Sequence, residues 1–218
     1  MKTFLLTTSL LFGFVASANA TLIATFGQTE TGAQSQTVVA TDNGTTTNIN
    51  VVNSIAGITT FAGGSLSSAT FNLSAVSIDP VVTLGNAIIQ HYSGTFCFTS
   101  LASCGGTNYL TGTFSDAAFG ANGGPGLVLN VNNPPDTLVL TSSVIAASEL
   151  VAPSSFNLGF TNLTPGLHVD GSTIGAFTAS YSGNVSASTA AVPEPTSMAL
   201  LGTAILGIGM LTKRRKSV

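Results

Sequence analysis

Basic residues are missing from the whole middle of the chain. All five Lys and Arg lie near the two ends, so residues 21–191 carry seven carboxylates and no Lys or Arg, a formal charge of −7. Binding to nucleic acid requires cations that neutralise phosphate, so the composition excludes nucleic acid as a partner of this region. Direct electrostatic binding to anionic lipid is disfavoured for the same reason.

Catalytic patterns are also scarce. The chain has no Trp and only two histidines, His91 and His168, and the Gly-Ser-Thr-Ile-Gly stretch at 171–175 lacks the spacing of a Gly-x-Ser-x-Gly elbow. The carboxylates are scattered and mostly adjoin turn residues, so no glycosidase pair stands out. No Gly-rich phosphate loop or EF-hand ligand series occurs either. The sequence therefore predicts no enzyme activity and no catalytic, cofactor-binding or metal-binding residues.

The beginning of the chain has the pattern of a secretory signal. Met1 and Lys2 give a small positive region, residues 4–15 an apolar core, and Ala18-Asn19-Ala20 a small-x-small cleavage site. The apolar core is too short for a membrane anchor. We therefore predict a signal peptide at residues 1–20 that is cleaved between Ala20 and Thr21.

The chain has two cysteines, Cys97 and Cys104, which lie on either side of a short stretch at the end of an aromatic strand pattern. An even number of cysteines in an exported chain predicts a disulfide, and here the disulfide would close a hairpin loop. A zinc site would need more ligands, and a redox pair would need a Cys-x-x-Cys spacing.

The end of the chain contains three segments in a fixed order. Pro193-Glu194-Pro195 comes first, an apolar run at 198–211 follows, and a basic cluster ends the series. The prolines hold this stretch extended and outside any sheet or helix. Residues 196–212 would form a helix of roughly 25 Å, a short span for a hydrocarbon core of ~30 Å. The basic cluster is Lys213, Arg214, Arg215 and Lys216, and it predicts that the bulk of the chain lies outside the cytoplasm.

These three segments together resemble the PEP-CTERM sorting domain. The resemblance assigns Pro193, Glu194 and Pro195 as the recognition triplet, residues 200–211 as the transmembrane helix, and Lys213 to Lys216 as the cytoplasmic stop. It implies an exosortase-type membrane transpeptidase as the partner, transient anchoring in the inner membrane, and then a cell-surface or extracellular location. The expected organisation is a signal peptide at 1–20, an exported domain at 21–191 and a sorting signal at 192–218.

Short alternating segments fill the exported domain. Residues 173–187 place apolar side chains on one face and Ser, Thr and Asn on the other, and residues 69–78 alternate with a change of phase that predicts a bulge after Ala75. Gly, Asn and Pro turn signals separate further short strands, and only residues 84–90 and 143–150 resemble short helices. We predict an all-β antiparallel sandwich, jelly-roll-like. A β-helix is the alternative, although no fixed period supports it.

The sequence says less about the role of the exported domain than about how the protein is sorted. Export near exopolysaccharide, which the resemblance implies, favours a structural protein of the envelope or the biofilm matrix that associates with exopolysaccharide. A glycan-binding module is the second hypothesis and a hydrolase the third, because the same fold can host all three. No cofactor is predicted.

Overall fold

The computed structural model describes residues 20–30, 36–122 and 127–189. This part of the chain folds as antiparallel β-strands with one short 3-10 turn at Ala147–Glu149, so the all-β prediction is confirmed. The strands are β1 Ala20–Gln28, β2 Val38–Asp42, β3 Thr47–Phe61, β4 Ser68–Ser77, β5 Val82–Leu84, β6 Ala87–Leu101, β7 Gly105–Asn122, β8 Leu127–Asn133, β9 Thr137–Thr141, β10 Val151–Thr164, β11 Val169–Asp170, β12 Thr173–Ile174 and β13 Phe177–Ser188.

The large sheet closes on itself. Going round it, β1 pairs with β3, followed by β4, β6, β7, β8, β10 and β13, and β13 pairs back with β1 from Ala20↔Ser188 to Gly27↔Ser182. Every pairing is antiparallel, and each neighbour is the next long strand along the chain. The result is an up-and-down closed sheet of eight strand positions.

Three of these eight positions are occupied by two shorter strands in succession. β1 and β2 both pair with β3 and β13, β4 and β5 both pair with β6, and β8 and β9 both pair with β7. Two of the interruptions contain proline, Pro80 between β4 and β5, and Pro134-Pro135 between β8 and β9. Proline has no N–H to donate to a neighbouring strand, so hydrogen bonding stops there.

Aromatic side chains from opposite walls meet inside the sheet and fill it. Phe156 of β10 lies on Phe96 of β6 with ring centroids 4.0 Å apart, and Phe26 of β1 contacts Phe98 of β6 at 4.6 Å. Such pairs add about 0.5–1.5 kcal/mol to the free energy of burial. The interior aromatic residues are Phe26, Phe71, Tyr92, Phe96, Phe98, Phe114, Phe119, Phe156, Phe160, Phe177 and Tyr181.

The closed sheet has two different ends. At the first, which we call the terminal end, β1 begins and β13 ends, and the loops β3–β4, β6–β7 and β9–β10 lie there because the pairings are antiparallel. At the second, the hairpin end, the β11–β12 hairpin packs its buried residues Thr173 and Ile174 against the sheet. The hydroxyl of Thr47 donates to the Ile174 carbonyl at 2.6 Å, and the Ile174 amide donates to Gln90.

Three finer expectations differ from the structure. The pairing of β4 with β6 is continuous from Thr70 to Ser77, and the bulge lies instead in β3, between Val51 and Ser54. Val76 faces outward and Ser77 points inward, where the Ser77 hydroxyl accepts a hydrogen bond from the Thr47 amide at 2.9 Å. Residues 84–90 form no helix: Leu84 ends β5, residues 85–86 form the turn, and residues 87–90 begin β6. Neighbours that follow chain order differ from the Greek-key connections of a jelly roll.

A core substitution tests this packing. Phe156→Ala should lower the free energy of unfolding by about 3–5 kcal/mol, because a large buried ring is removed and a cavity remains. The control Val139→Ala, at an exposed position of β9, should change it by less than about 0.5 kcal/mol. Urea denaturation of residues 21–191 measures both, and equal effects would contradict the packing described.

Candidate functional site

The predicted sorting residues fall outside the described part of the chain. This applies to Pro193, Glu194 and Pro195 and to the basic cluster at 213–216. The described residues end at Thr189, four positions before Pro193. At the other end, Ala20 and Thr21 are exposed residues of β1, and Ala20 pairs with Ser188. Cleavage between Ala20 and Thr21 stays a prediction.

No membrane-spanning helix is found among the described residues, since none of their helices is both long and apolar enough. The predicted span at 196–211 lies beyond them.

The two cysteines meet at the terminal end of the sheet. Cys97 is buried in β6, Cys104 lies in the exposed β6–β7 loop, and the structure joins their sulfurs with Cα atoms 5.8 Å apart. The Asn53 side-chain oxygen accepts a hydrogen bond from the Ser103 amide at 2.7 Å and holds the loop against β3. The loop is therefore fixed at two points.

His91 and Asp79 form an ion pair on the outside of the sheet. The Nδ1 atom of His91 lies 2.7 Å from Oδ2 of Asp79, and the His91 amide donates to Oδ1 at 2.9 Å. The hydrogen bond to Asp79 raises the pKa of His91. Burial works against this rise, and the charges of Asp79, Asp116 and Asp136 add to it. Asp79 lies in the segment between β4 and β5, so its contact with His91 holds that segment against β6.

His168 has a separate role in the loop before β11. Its Nδ1 atom is 3.0 Å from the Gly166 carbonyl, and its own carbonyl accepts the Gly175 amide. Among residues 20–30, 36–122 and 127–189, no group of three His, Cys, Asp or Glu side chains is placed to hold a metal ion.

A buried polar cluster escaped the sequence analysis. The hydroxyls of Tyr181 and Ser54 lie 2.9 Å apart, and Ser54 also donates to the Glu30 carboxylate at 3.2 Å. Glu30 accepts the Ile55 amide as well, at 2.8 Å. Burial raises the pKa of Tyr181, so its hydroxyl stays protonated. These contacts join β13, β3 and the segment after β1. One sign of this cluster was present in the sequence. Tyr181 lies on the apolar face of its strand, and the hydroxyl of a buried Tyr usually needs a hydrogen-bond partner.

A shallow groove crosses the outer face of β3, β4, β6 and β7. It encloses about 230 Å³ and is lined by amide, hydroxyl and aliphatic side chains together with the disulfide. Its polar lining residues are Asn50, Asn72, Ser74, Thr95 and Thr111. The Oδ1 atom of Asn72 accepts the Asn53 amide, whereas its Nδ2 atom is buried and has no hydrogen-bond partner within the described residues.

The folded unit and the segments that follow it define a class of protein, an exported domain with a C-terminal sorting signal. Residues 191–216 match the PEP-CTERM protein-sorting motif. The chain therefore carries a PEP-CTERM sorting motif, which implies export and processing by exosortase, and the resemblance seen in the sequence is confirmed. Neither curated proteins nor solved structures give a match to it.

The ion pair predicts a pH dependence of stability. A pKa that folding raises contributes stability that is fully present below the unfolded value, about 6.5 for His, and is lost as pH rises through the folded value. Asp79→Asn should therefore lower the melting temperature more at pH 5.5 than at pH 9. In a His91→Gln background the same change should have no such pH dependence. Equal losses at both pH values in the wild-type background would contradict the pairing.

The disulfide predicts a second effect on stability. Exported protein should resist alkylation until it is reduced, and Cys104→Ser should cost roughly 2.5 kcal/mol of unfolding free energy, the chain-entropy value for so short a loop. The variant should still fold, because the aromatic interior lies apart from the loop. Mass spectrometry after alkylation and urea denaturation measure the two effects. Two free thiols in native exported protein would contradict the bond.

Proposed function

We propose that this protein is a structural component of the cell envelope or extracellular matrix, released or transferred to the surface after exosortase processing. The observation that carries the proposal is the position of the sorting motif. β13 ends at Ser188, and the motif begins at residue 191. The folded domain is thus followed within a few residues by its sorting motif, and from the sequence alone the two prolines of the triplet favour an extended backbone that a membrane enzyme could bind.

A non-catalytic role agrees with how the reactive side chains are used. His91 is bound by Asp79, and His168 lies against the loop carbonyl of Gly166. The described cysteines are joined to each other. Aromatic rings occupy the interior, where a closed sheet of this kind would otherwise hold a ligand. These contacts support a domain that acts by association.

The outer face supports exopolysaccharide as the associated material. Uncharged polar side chains of neighbouring strands lie opposite one another on the outer face of the sheet. This face therefore offers hydrogen-bond donors and acceptors without charge. One row is Asn50, Ser74, Thr95 and Thr113, and another is Asn157, Asn184, Thr25 and Thr60. Such a surface suits a hydrated neutral polymer, and its binding would be insensitive to salt.

A glycan-binding module is the second candidate, favoured by the groove at Asn72. The groove is lined by uncharged amide and hydroxyl side chains, which could exchange hydrogen bonds with the hydroxyls of a sugar. Retention of residues 21–191 on an isolated polysaccharide, with loss of retention in Asn72→Ala, would favour this candidate over a purely structural role.

Processing is the direct test of the proposed function. In a host with the enzyme, the mature protein should lack residues 196–218. Changing Pro193 and Pro195 to Ala together should leave a longer, membrane-bound species, because the triplet is no longer presented. The control Thr189→Ala, which precedes the matched residues, should be processed normally. An immunoblot of membrane and extracellular fractions measures length and location, and equal lengths in all three proteins would contradict the proposal.

A further inference from the structure

We propose that, before processing, the terminal end of the closed sheet rests on the outer surface of the bilayer and contacts it through Leu22, Leu101 and Val144. This inference rests on the proposed function, because it assumes that the sorting segment holds the protein in the membrane. The partner is a lipid surface, and the contact surface is the end of the sheet where β1 begins and β13 ends.

Chain length is the first argument. β13 ends at Ser188 and the predicted apolar span begins at Thr196. Eight residue steps reach at most roughly 29 Å when fully extended. Strands such as β3, with 15 residues, are roughly 50 Å long, which corresponds to a sheet height of roughly 40 Å once tilt is allowed for. The linker is too short to pass along the wall and bring the hairpin end to the bilayer.

Charge distribution is the second argument. All seven carboxylates of the exported domain lie in the described residues, and Glu149 is the one at the terminal end, in the 3-10 turn before β10. Asp42, Asp79 and Asp170 lie towards the hairpin end. The others, Glu30, Asp116 and Asp136, lie between the two ends. An anionic lipid surface repels carboxylates within a Debye length, about 8 Å at physiological salt. The end with the fewest charges is thus the end that approaches it at least cost.

Exposed aliphatic side chains are the third argument. Three exposed aliphatic residues lie at the terminal end: Leu22 near the start of β1, Leu101 as the last residue of β6, and Val144 in the loop after β9. Exposed apolar side chains enter the interface between headgroups and acyl chains favourably. The composition disfavours electrostatic binding of the free domain to lipid, so this contact depends on the tether. Processing removes the tether and frees the domain.

Exposure alone does not select this end. The hairpin end also has exposed aliphatic residues, Val82 and Leu84 of β5 among them. Tether length and charge separate the two ends, and the similar exposure supplies matched controls for an experiment. Leu101 is 62% exposed and Leu84 is 68% exposed, while Val144 is 42% and Val82 is 49% exposed.

The absence of Trp from the chain makes a single-tryptophan test possible. Four variants of the full chain carry one substitution each: Leu101→Trp, Val144→Trp, Leu84→Trp and Val82→Trp. Each is reconstituted into phosphatidylcholine vesicles whose acyl chains are brominated near the headgroup. Trp emission should be quenched and shifted to the blue at 101 and 144. At 84 and 82 it should match the emission of the same protein in vesicles without bromine.

A linker variant separates contact from tethering. About 30 Gly and Ser residues inserted after Thr189 give a root-mean-square reach of about 30 Å, which frees the domain from the surface. Quenching at 101 and 144 should then be lost while the protein still floats with the vesicles. Equal quenching at both ends, or quenching at 84 and 82 alone, would overturn the inference and leave the proposed function intact. A chain that does not float with the vesicles would contradict the proposed function and this inference together.

Discussion

The pairing of β1 with β13 is the contact on which the rest of the structure depends. These strands come from opposite ends of the exported domain, and their hydrogen bonds close the sheet from Ala20↔Ser188 to Gly27↔Ser182. Open sheet edges invite pairing with other chains, and many proteins protect them with lysine. The exported domain has no Lys. Among the described strands of the large sheet, closure leaves just the short strands β5 and β9 paired on one side, and it does so without using charge. It also brings both ends of the domain to one end of the sheet.

Closure also explains the composition of the two faces. The inside must be filled, and the aromatic rings around Phe26 and Phe156 fill it from both walls. The outside needs only hydrogen-bonding capacity, which Ser, Thr and Asn provide. Two polar side-chain contacts lie where the regular strand pairing is interrupted. Tyr181 with Ser54 supports the bulge in β3, and Asp79 with His91 supports the interruption between β4 and β5.

Strand positions could be predicted from the sequence, because alternation follows directly from the two-residue period of a strand. Within the stretch 173–187, residues 177–187 lie in β13 with Phe177, Ala179 and Tyr181 inward, as the pattern indicates, whereas residues 173–174 form β12. Strand order could not be predicted, since pairing depends on contacts far apart in the sequence. The phase change after Ala75 led to the wrong prediction of a bulge for a related reason. An inward Ser77 bonded to Thr47 and an outward Val76 look like a bulge when only hydropathy is considered.

In the closed sheet, β13 has a hydrogen-bonded neighbour on each side, and native-state hydrogen exchange tests this most directly. Amides of residues 182–186 should exchange as slowly as those of residues 95–98 in β6, because both segments are hydrogen-bonded on two sides and open only with the whole domain. The measurement is made by mass spectrometry on the folded exported domain. Exchange of residues 182–186 as fast as in the loop at 62–67 would show β13 to be an open edge and would contradict the account.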